Sequence, residues 1–376
     1  RLHPVLSNLL PEGALRELIA QGLKTHIDNE FQIFSYLGQD LPGALVATPM
    51  EPNDVPESVL STHGKAKAIK FKKGNVKIRD KLMSSTDALG KLASIPVITQ
   101  TINAVNSNTA MRKILDKTLG IHPDALLPKY HTKTLVKRDA KRKPLDIEIQ
   151  TTSTTTGKVA LFVTCYANHN EPQIAEDLIK VFEHNAIPVL LAKNTQCCGM
   201  PKLELGDLDA VTKAKDANIE ILAQLVDEGY DIVTPVPSCT LMFKQELPLM
   251  FPDDADVIKV QQAMFDPFEY LMLRHKENKL NTEFKNSLGK ISYHVACHQR
   301  VQKIGMKTRA LFELIHNTEV LPIERCSGHD GTYTFKSEFH DTAMKICRPV
   351  VKRVKQNAAD HYTSDCAMAG HHIEAG

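Results

Sequence analysis

The residues best equipped for chemistry are the cysteines. None of the eight precedes Cys165, and all fall between Cys165 and Cys366. Thiols gathered in this way, in a chain with no signal-peptide core, read as metal or redox ligands before they read as structural disulfides. Two of them, Cys197 and Cys198, are adjacent and followed by Gly199. Cys165, Cys197 and Cys239 recur as Cys297, Cys326 and Cys366 at offsets of 132, 129 and 127 residues, so the thiols belong to two copies of one pattern. Four thiolates on one edge suit a soft metal, either tetrahedral zinc or an iron-sulfur cluster. Zinc sites usually take close pairs of the CxxC kind, whereas adjacent thiolates reach different irons of a cluster more easily. Gly199 supplies a positive φ or room for a bulky inorganic ligand. Cys347 lies in a helical pattern with no counterpart in the first copy and is expected to pack.

These thiols need a scaffold that brings them together, and the flanking sequence describes one. KVALFVTCYA from Lys158, IPVLLAKN from Ile187 and DIVTPVPS from Asp231 read as buried strands. EPQIAEDLIKVFEHN and LDAVTKAKDANIEILAQLVDEG read as the helices between them. The order restarts with ISYHVA, KTRALFELIHN, EVLPIER, TAMKICRPVVKRVKQNA and DHYTSDC. Such alternation specifies parallel sheets with crossover helices. Each cysteine follows a strand, and the carboxyl ends of parallel strands share the edge where ligands bind. The expected fold is therefore α/β, a duplicated βαβ-type repeat with parallel sheets (158–285 and 286–376).

Upstream, residues 1–64 hold one helix-like stretch and a Pro/Gly-punctuated run that fits no compact unit. Residues 65–128 read as a helical N-terminal region, opening on a basic run from Lys65 to Lys81, and 129–157 as a basic then Thr-rich linker. The basic run is a solvated helix face or a docking surface for an acidic partner or a membrane surface. The net charge of +2 announces no nucleic-acid partner, and no stretch is apolar enough to span a bilayer. A cytoplasmic location with at most peripheral membrane association is expected. The chain begins with Arg1, which reads as processing or as a fragment of something longer.

The segments Cys165, QCCGMP (196–201), VPSC (236–239), ACH (296–298), ERCSGHDG (324–331) and SDCAMAGHH (364–372) resemble the duplicated cysteine-rich CCG domain. That domain is shared by the B subunit of heterodisulfide reductase, the C subunit of anaerobic glycerol-3-phosphate dehydrogenase and glycolate-oxidase iron-sulfur subunits. ERCSGHDG and DKTLGIHPDALLPKY are most similar to the heterodisulfide-reductase-related proteins encoded beside a rubrerythrin. The resemblance covers residues 65–376. It implies electron transfer through a 4Fe-4S-type cluster, cubane or non-cubane, bound by Cys165, Cys197, Cys198, Cys239, Cys297, Cys326 and Cys366, on a thiol/disulfide or peroxide-linked pathway. Relatives commonly carry a ferredoxin-like N-terminal domain, yet residues 1–64 contain no cysteine. The fullest motif has a further cysteine where Met242 and Ala369 stand here, and Ser327 replaces the second cysteine of copy two. His298 and His329 adjoin copy-two cysteines as candidate catalytic proton donors or ligands, while the His371–His372 pair reads as surface. No GxGxxG follows a strand, so no NAD or FAD is expected on this chain. Electrons then come from a redox partner that is ferredoxin-like, a flavoprotein or rubrerythrin-like. Two competing readings are a zinc-binding structural site and a cluster-free docking scaffold.

Overall fold

A computed structural model describes residues 78–376 of the chain. The reading of residues 1–64, and most of the basic run, lie outside the described residues. Four helices open the described chain: α1 (Ile78–Ser84), α2 (Thr86–Ala93), α3 (Pro96–Ser107) and α4 (Thr109–Leu119). Asn108 caps α4 by accepting the Met111 N–H, and Gly120 closes it in the left-handed region. The buried Arg112 of α4 then donates to the carbonyls of His122, Pro123 and Ala125, pinning the extended chain that leads to the short helix α5 (Leu135–Asp139).

Copy one is a parallel sheet of β1 (Val159–Phe162), β2 (Val189–Ala192), β3 (Asp231–Val233) and β4 (Met264–Phe265), in the order β2-β1-β3-β4. Every β1 residue is buried, as expected of a strand covered on both faces. Side chains alternate along a strand. Ala160 and Phe162 accordingly pack with α9 (Leu208–Asp227) and α12 (Ala255–Ala263). Val159 and Leu161 pack with α7 (Pro172–His184) and α13 (Pro267–Lys276). Residues 140–158 contain no helix or strand. They are nevertheless tied to copy one: Arg274 donates to the Gln150 carbonyl and Thr155, and the Thr156 N–H and hydroxyl both donate to Asp231.

Copy two repeats the plan with β5 (Gly289–His294), β6 (Thr318–Ile323) and β7 (His361–Ser364), parallel and ordered β6-β5-β7. Its long helix α16 (Ser337–Asn357) buries Cys347, Val350 and Val351 against Ile323 and Ile373, which makes Cys347 a core residue. The strand–helix order read from the sequence is the order found. β4 and the helices around it were not anticipated, because a two-residue strand carries no periodicity. They give copy one a fourth strand that copy two lacks.

Candidate redox site

Each motif cysteine lies past a strand, and all but Cys326 sit within or just before a short helix. Cys165 opens α6 (Cys165–His169), whose N-cap Thr164 accepts the Ala167 N–H at 3.1 Å. Cys197 and Cys198 precede α8 (Met200–Glu204), and Cys239 lies in α10 (Pro237–Leu241). Proline at the beginning of α8 and α10 suits a first turn whose N–H has no helical partner.

The copy-one thiols are all free and perturb one another in series, Cys165 with Cys197, Cys197 with Cys198, and Cys198 with Cys239. Cys197, the acceptor for both neighbours, is held well below the usual thiol range, whereas Cys165 and Cys198, as donors in a buried setting, are raised well above it. The loop bearing the pair is fixed from two sides. Asp87 of α2 accepts the Cys197 N–H at 2.6 Å. Asn218, fully buried on α9, accepts the Gln196 N–H at 2.8 Å and donates to the Cys197 and Ala214 carbonyls. The Thr86 hydroxyl, near Cys165 and Cys197, is buried without a hydrogen-bond partner among the described residues. Gly199 has φ +97°, and a Cβ there would meet Ala214 and Met242. Its backbone conformation is thus the feature that requires glycine, and the close approach is to protein atoms. Met242 and Ala369, at the positions of the absent cysteines, are both buried among apolar neighbours.

Copy two is built differently. Cys297 opens α14 (Cys297–Val301), and its thiol and that of Cys326, both free, perturb each other. Cys297 is pushed down to about 6 by the Cys326 thiol and the guanidinium of Arg300, whose Nη2 lies 3.6 Å from its Sγ, against an opposing effect of burial. Cys326 is exposed and raised as the donor of the pair, and its Sγ accepts the Gly328 N–H at 3.3 Å. Ser327 is buried and its Oγ accepts the His329 N–H. Cys366, at the start of α17 (Ala367–Glu374), is raised to about 11 by burial and interacts with Cys239 and Tyr166 of copy one. His294 crosses the ends of all three strands, pairing with Ser364 Oγ and the Arg325 carbonyl at 2.9 Å each.

Copy two thus has Cys297 and Cys326 perturbing each other, with Cys366 near both Tyr362 of its own sheet and Cys239 of copy one. The two copies also meet at Gln302, which donates to the Pro237 carbonyl, and at His371, which pairs with Glu171 at 2.5 Å. A cavity of about 300 Å³ lies along this junction, lined by Tyr166, Glu171, His329, Phe335, Met368 and His372 among others. Burial pushes His329 down to about 4 and lowers His298 and His372, so these imidazoles are neutral at pH 7. The surface reading of the histidine pair holds for His371 alone; His372 is 7% exposed, because the helical turn that exposes one neighbour buries the next. Among the described residues no three His, Cys, Asp or Glu side chains converge to hold a single metal ion.

Sequence reasoning did not single out Thr86, Asp87, Asn218, His294 or Arg300. Asn218 carried a usable signal, a polar residue on the apolar face of an amphipathic helix. Asp87 carried none, since its contact spans 110 residues.

Two parallel sheets with thiols at their joined carboxyl edges define a duplicated cysteine-rich α/β protein. The chain carries two copies of the CCG cysteine-rich domain, at residues 159–244 and 291–374. Residues 1–48, outside the described part, match the HipA N-terminal domain. The chain is 28% identical over 310 residues to the C subunit of anaerobic glycerol-3-phosphate dehydrogenase from Escherichia coli strain K12, covering 79% of this chain and 73% of that one. Lactate utilization protein A of Shouchella clausii is 29% identical over 185 residues, 47% of this chain and 74% of the relative. An uncharacterized iron-sulfur protein of Methanocaldococcus jannaschii is 27% identical over 218 residues, 57% and 41% respectively. No helix among the described residues is long and apolar enough to cross a membrane.

Proposed function

We propose that this chain is an iron-sulfur oxidoreductase subunit that works with a separate redox partner in the cytoplasm, on a thiol/disulfide or peroxide-linked pathway. Cys165, Cys197, Cys198 and Cys239 would hold a 4Fe-4S-type cluster, which supplies one-electron transfer when bound. The observation that carries this reading is the series of four thiols at the copy-one sheet edge, whose central pair sits on a loop fixed by Asp87 and Asn218. Thiols linked pair by pair suit a polynuclear group, because a single tetrahedral ion needs all four donors around one point. Support also comes from the names of the relatives, an iron-sulfur protein and a dehydrogenase subunit. Copy two is the substrate-facing half. His298 and His329 are its candidate proton-exchanging groups, being neutral imidazoles beside Cys297 and Cys326. The donor is ferredoxin-like, a flavoprotein or rubrerythrin-like. Iron and acid-labile sulfide quantitation with electron paramagnetic resonance on anaerobically purified protein tests the reading. Brown protein containing both is expected; colourless protein with one zinc per chain would overturn it in favour of a structural zinc site.

A further inference from the structure

Helix α2 lies outside both cysteine-bearing repeats, yet it is clamped to the two elements that carry the first copy-one thiols. Asp87 accepts the Cys197 N–H at 2.6 Å. Ser94, which caps the other end of α2, pairs through its hydroxyl with His169 Nδ1 at 2.9 Å, and His169 ends the helix that Cys165 opens. Gly90 presses on the same imidazole so closely that a Cβ there would stand 2.4 Å from its Cδ2. At the Asp87 end of this clamp stands Thr86, the first residue of α2, near Cys165 and Cys197. The hydroxyls of Ser84, Ser85 and Thr99 around it all donate to backbone carbonyls. The Thr86 hydroxyl is buried and has no hydrogen-bond partner among the described residues. A buried hydroxyl in that condition is a net cost to the fold, so its place beside the thiols calls for a function.

We infer that Thr86 donates a hydrogen bond to a sulfur of the cluster held by the copy-one thiols, and thereby sets the potential at which that cluster takes up an electron. This rests on the reading of copy one as a cluster site and adds to it a residue from outside the repeats. The other anchors of the loop are already engaged. Asn218 uses its amide hydrogens on the Cys197 and Ala214 carbonyls, and Asp87 acts as an acceptor. Thr86 is a donor that these contacts leave over. Reduction adds one negative charge, which is shared with the sulfurs. A hydroxyl dipole aimed at one of them stabilises the reduced form more than the oxidised form and raises the potential. Cys197, Cys198 and Cys239 are buried, so water screens that dipole weakly.

The test uses the full chain purified without oxygen, as parent, Thr86→Val and Thr86→Ser, with iron and acid-labile sulfide measured before a redox titration followed by electron paramagnetic resonance. Thr86→Val keeps the shape of the side chain and removes the donor. It should hold as much iron as the parent while its midpoint potential falls, corresponding to an about three- to tenfold weaker preference for the electron, tenfold being about 59 mV for a one-electron couple. Thr86→Ser restores the hydroxyl and should bring the midpoint back toward that of the parent. Resonance Raman spectra in H2O and D2O identify the acceptor: a deuterium shift of the iron–sulfide modes assigns the bond to inorganic sulfide, and one of the iron–thiolate modes assigns it to a cysteine sulfur. Either shift should shrink in Thr86→Val. If valine unseats the cluster, Thr86→Ala against Thr86→Ser gives the same comparison. A loaded variant without the hydroxyl that keeps the parent's midpoint and deuterium shift would overturn this proposal alone. A parent protein without iron and sulfide would overturn the cluster reading and this proposal with it.

Discussion

In copy one the loop after the second strand carries two adjacent buried thiols, held by a carboxylate from α2 and a carboxamide from α9. In copy two the equivalent loop carries an exposed thiol and a buried serine, and its strand ends are tied by a histidine. The same βαβ plan therefore supports three buried thiols and one half-buried thiol in one half, and no buried motif thiol in the other. Duplication supplied the shared edge, and the residues on the connecting loops set what each half does there. This is the division of labour expected when rigid strands position and loops carry the chemistry.

Removing one thiol from each half should produce the largest contrast. Cys197→Ser or Cys239→Ser should eliminate most of the iron and its paramagnetic signal while the protein stays soluble, because these ligands lie at the sheet edge. Cys297→Ser should leave the iron content nearly unchanged. Equal losses in both halves, measured as iron per chain, would erase the distinction between them.

The glycines after the two cysteine motifs extend the contrast to the backbone. Gly199 and Gly328 both adopt positive φ, +97° and +78°. A Cβ at Gly199 would meet the Ala214 side chain at 3.3 Å, whereas one at Gly328 would meet the Ala343 carbonyl oxygen at 2.3 Å. At 3.3 Å the neighbour must give by only a few tenths of an ångström, whereas at 2.3 Å from a carbonyl oxygen the backbone itself must shift. Gly199→Ala should cost about 1–2 kcal/mol from the φ preference, and Gly328→Ala on the order of 3–5 kcal/mol. Chemical denaturation of both variants checks the ranking, and equal midpoints would contradict it.

Asn218→Ala comes next. It leaves the Gln196 N–H and Cys197 carbonyl without their buried partner, each worth roughly 1–3 kcal/mol. We expect a loss of about 3 kcal/mol by urea unfolding, together with weaker iron retention at copy one. Retention unchanged from the parent would show that the loop does not need this anchor.

Much of this arrangement is legible in the sequence, for reasons that differ by element. Strands such as VALF read clearly because burial on both faces leaves an unbroken apolar run, and the cysteine offsets locate the repeat without any structural input. The positioning groups are harder to see. Asp87 acts across 110 residues and His294 pairs with a serine 70 residues away, so neither leaves a local spacing. Equal offsets mark equivalent places in the repeat, but they do not fix which thiols become neighbours when two copies are set edge to edge.

The smallest expected effect separates the halves by pH. His169, at the end of α6 in copy one, is 6% exposed; its Nδ1 pairs with Ser94 Oγ at 2.9 Å and its Nε2 with Asn168 Nδ2 at 3.3 Å. Since the Asn168 amide can only donate from nitrogen, Nδ1 carries the proton and donates to Ser94, which makes the ring neutral. Burial, with Lys91 and Lys137 nearby, pushes His169 down to about 4. The unfolded chain titrates this group near its ordinary value of about 6.5, so between that pH and 4 the unfolded state binds more protons and stability falls as pH falls. Moving from pH 7 to pH 4.5 should therefore cost about 2 kcal/mol through this residue alone. His169→Gln removes the titration and should flatten the stability profile by that amount. His329 in copy two, pushed down to about 4 as well, should add a matching share of the slope, lost on going from the His169→Gln protein to the double variant with His329→Gln. Urea midpoints at the two pH values for parent, single and double variants measure this directly. Profiles that do not differ among parent, single and double variants would show that neither imidazole is kept neutral by the fold.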